Sequence, residues 1–299
     1  MKYKISLLLL LLGSTLASAQ NYLDIARLNF GNTAMEDVDG NQETDITNVN
    51  LEFLYPTPIN DKTILITGFT AENTSLDFNG AAGFTSEGLT MTRLNLGAKI
   101  YHSSKWTGTY LLLPKLASNF NNIGGADFQF GAIALLEYRH KNRFRTKYGL
   151  YSSSEEFGAI ITPLLGVYYR TPNNKFYIDA AFPIRMEANY GISKQFSLGA
   201  DLRTSIKSYN MGGGIVDTYV QEESIRFALY AGYSFMKDQL IVRAKAGLDT
   251  TDYGLYQSGQ TVGAQILTIP LGTDKRDRLN DEFVSSLFVG FDVIYRLDL

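Results

Sequence analysis

The chain has 299 residues, 45% of them hydrophobic and 19% charged, with a formal net charge of −3 and no cysteine. Without cysteine there is no disulfide framework, thiolate metal site, thiol catalysis or lipoprotein anchor, and the absence of a basic excess argues against nucleic acid as a partner. With 19 tyrosines, 18 phenylalanines and one tryptophan the chain must bury or shelter many rings, so a disordered chain is excluded.

At the N-terminus, Lys2 and Lys4 precede an apolar run from Ile5 to Leu12, followed by Ala17-Ser18-Ala19. This is the pattern of a cleavable secretory signal peptide, residues 1–19, because the run is too short to span a bilayer as a helix. The mature chain, 20–299, then reads as one domain. Its first long connection, Gly31 to Asp45, is acidic, and Asp37, Asp39 and Asn41 around Gly40 form a weak candidate for Ca²⁺ through oxygen ligands. An EF-hand would need Gly where Gln42 stands and Glu where Asn48 stands, so a solvated acidic loop fits better.

Beyond it the apolar residues recur at period two nearly to the end, which predicts an all-β protein. Ile184, Met186, Ala188, Tyr190 and Ile192 alternate with Arg185, Glu187, Asn189, Gly191 and Ser193. Phe196, Leu198, Ala200, Leu202 and Ile206 alternate with Ser197, Asp201, Arg203, Ser205 and Lys207, and Leu240 to Asp249 repeats the pattern. Short polar turns (Pro56 to Lys62, His102 to Lys105, His140 to Arg143, Thr171 to Lys175, Ser193 to Gln195, Met236 to Asp238) alternate with longer connections. The longer ones are Gly31 to Asp45, Asn73 to Gly88, Ser118 to Asp127, Ser152 to Gly158, Tyr209 to Glu222 and Thr250 to Glu282. A soluble sandwich also alternates, but tight turns at one end and long loops at the other predict a closed antiparallel transmembrane β-barrel. The longest loop is 250–283, whose apolar Ile266, Leu267, Ile269 and Leu271 suit either an inward fold that constricts the barrel or a sheet extended above the membrane. Phe182-Pro183 joins two strands with almost no loop at the outer end, and including that turn gives about 14 strands, with about 12 as the alternative.

Tyr55, Tyr138, Phe144, Phe196 and Phe235 lie beside short turns in phase with the apolar face, as an interfacial girdle would. At the C-terminus, Phe291, Val293, Tyr295, Leu297 and Leu299 alternate with Asp292, Ile294, Arg296 and Asp298. Phe291 to Leu299 resembles the terminal strand by which barrels engage the barrel-assembly machinery, although it ends in Leu rather than Phe. The expected setting is the outer membrane of a Gram-negative cell, with lipid and lipopolysaccharide as neighbours.

The chain also resembles a family of uncharacterised outer-membrane β-barrels from Bacteroidota, a domain of unknown function. The likeness is carried by Tyr148-Gly149-Leu150-Tyr151, Glu155 with Phe157-Gly158, Pro163-Leu164-Leu165-Gly166, Tyr169-Arg170, and Leu198-Gly199-Ala200 after Asn189-Tyr190. It implies an outer-membrane barrel over nearly all of the mature chain and brings no activity or functional residue with it.

Little else in the sequence points to chemistry. His102 and His140 fall in short turns, away from any nucleophile-base geometry, so no catalytic residue and no enzyme activity are expected. No cofactor is expected either, and Gly212-Gly213-Gly214 lacks the Lys-Ser/Thr of a phosphate loop. Alternation instead places Arg93, Glu137, Arg139, Arg145, Arg185, Glu187, Asp201, Arg203, Arg226, Arg243 and Lys245 on the lumen wall or at its mouths. With Glu52, Lys99, Arg143, Lys147, Lys207, Asp249, Asp292 and Arg296 added, basic residues outnumber acidic by about thirteen to six. Two readings compete: cross-strand pairs such as Glu187 with Arg203 and Asp201 with Arg185 that fill a closed lumen, or a positive wall favouring small anions. The function expected is porin-like passage or uptake of a small solute, leaning to anions. The alternatives are a closed structural or partner-binding barrel and, further off, a histidine-independent membrane enzyme.

Overall fold

The computed structural model describes residues 22–36, 43–78, 81–236 and 239–298. The leader 1–19, the Asp37, Asp39 and Asn41 loop and Leu299 lie outside the described residues.

The described chain is almost entirely strand, and no helix among the described residues is long and apolar enough to cross a membrane. In order the strands are β1 (Tyr22–Glu36), β2 (Glu43–Asn60), β3 (Thr63–Asp77), β4 (Ser86–Tyr101), β5 (Trp106–Ser118) and β6 (Phe128–Lys141). They continue as β7 (Phe144–Glu155), β8 (Gly158–Arg170), β9 (Phe176–Phe182), β10 (Arg185–Gly191), β11 (Phe196–Met211) and β12 (Thr218–Phe235). The last are β13 (Leu240–Asp249), β14 (Asp252–Gln257), β15 (Gly263–Ile266), β16 (Ile269–Pro270) and β17 (Ser286–Asp298). Consecutive strands from β1 to β13 pair antiparallel, β13 pairs with β17, and β17 pairs with β1, closing a 14-strand barrel. The strand that depended on the tight Phe182-Pro183 turn is real: β9 and β10 form a hairpin across it, and the alternative of 12 strands falls away.

Alternation sets which residues face out. Leu51, Leu65, Leu96, Leu112, Leu150, Leu165, Leu198, Leu229 and Val289 are all exposed, forming an apolar belt around the wall. In water such a surface would drive association, whereas in a bilayer it is the required solvent-facing layer. At the short-turn rim the rings join into a girdle: Trp106 lies 4.9 Å from Tyr138, which contacts His140, which stacks on Phe144. Phe196, Tyr233 and Phe235 form a second such run. His140 is thus an exposed member of the aromatic rim, its Nε2 3.0 Å from Thr146 Oγ1.

The outer end departs most from what the sequence suggests. Strands continue through much of what alternation and composition mark as loop: β7 and β8 are separated by only Glu156 and Phe157. The connection Tyr209 to Glu222 is largely the top of a hairpin, with β11 paired to β12 up to Met211 and Thr218. This hairpin does not stand upright. Asn210 on β11 pairs with Ser118 on β5, a strand on the opposite side of the barrel, so the tip crosses the mouth. Gly212 is held there: its N–H donates to Asn119 Oδ1 at 2.9 Å and its carbonyl accepts from Asn119 and Asn121.

Candidate functional site

Among the described residues most ion pairs lie in the lumen, which is bounded above by the crossing hairpin. On one side Tyr209, Met211 and Val220 of the hairpin, with Tyr253 and Leu255 of β14, pack against Met35, Ile46, Leu76, Leu89 and Met91 of the facing wall. On the other, Ile206 and Tyr219 pack against Phe157 and Ile160. Burial of each such side chain contributes ~1.5–3 kcal/mol, so releasing the five from β11, β12 and β14 costs on the order of 10 kcal/mol. The intact hairpin therefore stays shut on the timescale of solute encounter.

Polar staples fix its position. Lys207 Nζ lies 2.6 Å from Glu72 on β3 and 3.1 Å from Glu222 on β12. Glu155 at the top of β7 accepts from Lys115 Nζ at 2.5 Å, from the Ser208 backbone N–H at 2.8 Å and from Ser208 Oγ at 2.9 Å. Gln129 Nε2 donates to Ser208 Oγ at 3.0 Å. Glu155→Ala is expected to strip the partner from a buried Lys115 ammonium and to destabilise the protein by about 3–5 kcal/mol, measured by urea unfolding in detergent.

The connection 250–283 forms a strap beside the hairpin. Its β14 continues the line of β13 and pairs with the upper half of β12, whereas β15 adds in parallel to the start of β8 at Gly158, Ala159 and Ile160. Gly158 is needed twice at this junction, since its φ is +129° and a Cβ would collide with the Gly263 carbonyl. Arg276 in the strap stacks over Tyr256 at 4.0 Å and donates to Tyr219 Oη at 2.9 Å. Its hydrogen bonds to Asp274 hold that carboxyl below the usual range. In this segment β14 and β15 extend the sheet and Leu267 lines the lumen cavity, while Ile269 and Leu271 stay exposed.

Below the hairpin lies a cavity of about 400 Å³. Its wall has a basic, an acidic and an apolar part, the acidic one being Glu52, Glu72, Glu222 and Asp292. Arg185, Arg203, Arg226 and Lys245 line it from β10 to β13 and Arg93 from β4, while Leu111 and Leu113 of β5, Ile133 of β6 and Tyr151 of β7 supply an apolar side. The charges are ordered in tiers. Arg185 is directly opposite Arg203, which is directly opposite Arg226, across three adjacent strands. Two residues nearer the short-turn rim, Asp179, Glu187 and Asp201 form an acidic row on β9, β10 and β11. Like charges directly opposite repel, and the structure relieves this by pairing all of them except Arg203 with a group outside the opposing like charges.

The pairings suggested by neighbouring positions are therefore not those formed. Glu187 contacts Arg243 at 2.8 Å and Arg27 at 3.5 Å rather than Arg203, and Asp201 contacts Lys245 at 2.7 Å rather than Arg185. Arg185 lies 3.5 Å from Asp179, and Arg226 lies 2.6 Å from Asp249. Glu137 on β6 pairs with Arg145 at 3.3 Å and Lys147 at 3.6 Å. Arg139 sits at the short-turn mouth, donating to the Ser104 carbonyl. Arg93 reaches only Thr70 Oγ1, at 3.4 Å, and its Nε has no hydrogen-bond partner. Among the described residues no carboxylate lies within ion-pair distance of Arg203 or Arg93.

Alternation missed several lumen groups: Asp24 and Arg27 on β1, Glu72 on β3, Lys115 on β5, Glu155 on β7, Asp179 on β9 and Glu222 on β12. Asp24 precedes a register shift in the β1–β17 ladder, which interrupts the simple period there. Glu155 and Glu222 fall in segments that read as loops. Including these five acidic and two basic residues changes the balance from about thirteen to six into about fifteen to eleven, so the positive excess narrows without disappearing. Among the described residues no cluster of His, Asp or Glu is arranged to hold a metal ion.

The closed ring, the apolar outer belt and the charged interior define a transmembrane β-barrel with a partly occluded lumen. The chain belongs to the family described as a domain of unknown function, DUF6268, whose profile matches residues 25–258. A comparison with curated proteins gave no match. Among solved structures, an outer membrane channel from Pseudomonas putida F1 is similar over 92% of this chain and 97% of its own, with 8% identity and a TM-score of 0.45. The toluene transporter TodX of P. putida is similar over 94% and 90%, with 10% identity and a TM-score of 0.40. The NanC porin is similar over 90% and 100%, with 9% identity and a TM-score of 0.34. Likenesses at this level say nothing about what this chain carries.

Proposed function

We propose that this protein is a non-enzymatic outer-membrane barrel through which small solutes pass, with preference for anions, under an outer mouth kept shut by the β11–β12 hairpin. The observation that carries the reading is the arginine tier at the cavity wall. Arg185 and Arg226 have carboxylate partners and Arg203 between them has none. A guanidinium held in a low-dielectric wall without a counter-charge attracts anions and repels cations.

A second reading, a closed scaffold that transports nothing, is favoured by the stapled hairpin and the extensive pairing elsewhere in the lumen. Flux separates the two. Proteoliposomes carrying a variant with hairpin residues 208–220 replaced by a short Gly-Ser turn should admit sodium gluconate faster than the chloride salt of a cation of similar size. Equal exclusion of both, in a variant that still shows the heat-dependent gel mobility of a folded barrel, would establish the closed scaffold instead.

A further inference from the structure

The barrel wall is not of even height. Strands β9 and β10 have seven residues each, against 13 in β8 and 16 in β11. About 9–11 residues of tilted strand are needed to cross the hydrocarbon, so the β9–β10 turn at Phe182 to Ile184 lies within the membrane rather than above it. Above that turn β8 loses its neighbour. Its pairing with β9 ends at Leu165, and β15 covers it only at Gly158 to Ile160. Residues 161–164, about 13 Å of strand at 3.3 Å per residue, face no strand on that side. Across the gap, β11 pairs with β10 only as far as Arg203 before its upper half turns inward.

The cavity reaches this notch from the lumen side. Arg203, Ser205 and Lys207 line it, as inward-facing residues should, but so do Thr204 and Ile206, which carry the outward phase of the same strand. Because the upper half of β11 turns into the barrel, the space behind it, against the inner face of β8, belongs to the same cavity and reaches the unpaired edge of β8. The rim is completed by Ile160 and Thr162 of β8, Ile184 of the low turn and Leu267 of the strap. Outside the notch, Ile161, Leu165 and Phe182 are exposed in the apolar belt.

We infer that the solute enters sideways, through this notch from the outer leaflet, and that it is a single-chain amphiphile with a compact anionic head. The inference rests on the proposed passage of anions and narrows its substrate class. The mouth is shut by buried apolar contacts and two staples, whereas below the cluster of Ile206, Ile160 and Phe157 the notch is bounded by Thr162, Ile184 and Thr204, with no ladder joining β8 to β11 among the described residues. A route through apolar lipid selects solutes that dissolve there. Inside, the cavity offers the two surfaces such a molecule needs: Leu111, Leu113 and Ile133 for the chain, and Arg203 with Arg93 for the head. Its volume suits one small ligand, which excludes a two-chain phospholipid.

The test uses the full-length barrel in nanodiscs with Trp106→Phe and a reporter, Leu111→Trp, in the cavity, and 11-bromoundecanoate as the quencher. Saturable quenching is expected, and Thr162→Phe with Thr204→Phe, which fill the notch, should abolish it while heat-dependent gel mobility shows the barrel folded. Arg203→Ala should weaken the apparent affinity by about tenfold or more, the loss expected for one hydrogen bond to a charged group. The neutral 11-bromoundecanol should bind no better to the parent than to Arg203→Ala. Quenching that persists with the notch filled would overturn lateral entry, and equal affinity of acid and alcohol would overturn the anionic head. Quenching by a chain-brominated phosphatidylglycerol in place of the carboxylate would overturn the single chain. Conductance of chloride through the hairpin-less barrel is measured separately, so that loss of anion passage and loss of lateral entry are distinguishable.

Discussion

Replacement of residues 208–220 by a short turn is expected to convert a barrel that is nearly silent in a planar bilayer into one with steady single-channel conductance, raised by at least about tenfold. The hairpin closes the outer mouth by burying Tyr209, Met211 and Val220 against the opposite wall and by docking Ser208 on Glu155. Ser208, Tyr209, Met211 and Val220 lie on β11 and β12, outside the ladder from β1 to β10, so their removal leaves that wall intact. Glu155→Ala should act in the same direction but more weakly, because it removes one staple and leaves the apolar contacts. A hairpin-less barrel that folds and stays silent would place the block lower in the lumen, at the layer of Arg243, Glu187 and Asp292.

That lower layer carries the second large effect. Arg243 is among the most buried side chains described and is held between Glu187 at 2.8 Å and the ring of Tyr230 at 4.3 Å. Arg243→Ala leaves Glu187 with only Arg27, at 3.5 Å, as a cationic partner, and should cost about 3–5 kcal/mol of stability, as removal of one member of a buried ion pair does. The companion variant Arg243→Met with Glu187→Gln removes both charges and should recover most of that loss, because a neutral pair of similar volume needs no counter-charge. Unfolding in urea, followed by tryptophan fluorescence and by gel mobility, measures both. If the single and double variants lose equal stability, packing on Tyr230 rather than charge pairing is what Arg243 contributes.

Much of this barrel is legible in the order of residues, for a definite reason. Where a strand has lipid on one side and a polar lumen on the other, alternation is forced, and Phe196 to Lys207 or Leu240 to Asp249 declare their phase directly. The tight Phe182-Pro183 turn is visible because it interrupts two alternating runs. Partner choice is not legible, because it depends on stagger. Glu187 stands opposite Asp179 and Asp201, and its actual partners, Arg243 and Arg27, come from strands far away in sequence. Nor is the inward hairpin legible, since Tyr209 to Glu222 has the glycine-rich, polar look of an exposed loop. Its core-forming residues become buried only when β5 and the facing wall are present. The notch follows from strand length, and seven residues in β9 are recognisable as short only beside the paired lengths of β8 and β11.

Anion passage along the Arg203 tier is tested most directly by the zero-current potential of the hairpin-less barrel in a planar bilayer under a potassium chloride gradient. The potential should lie toward the chloride equilibrium value and should move toward that of potassium in Arg203→Glu. A potential on the potassium side with Arg203 intact, or one that does not change in Arg203→Glu, would contradict anion selection by this lumen.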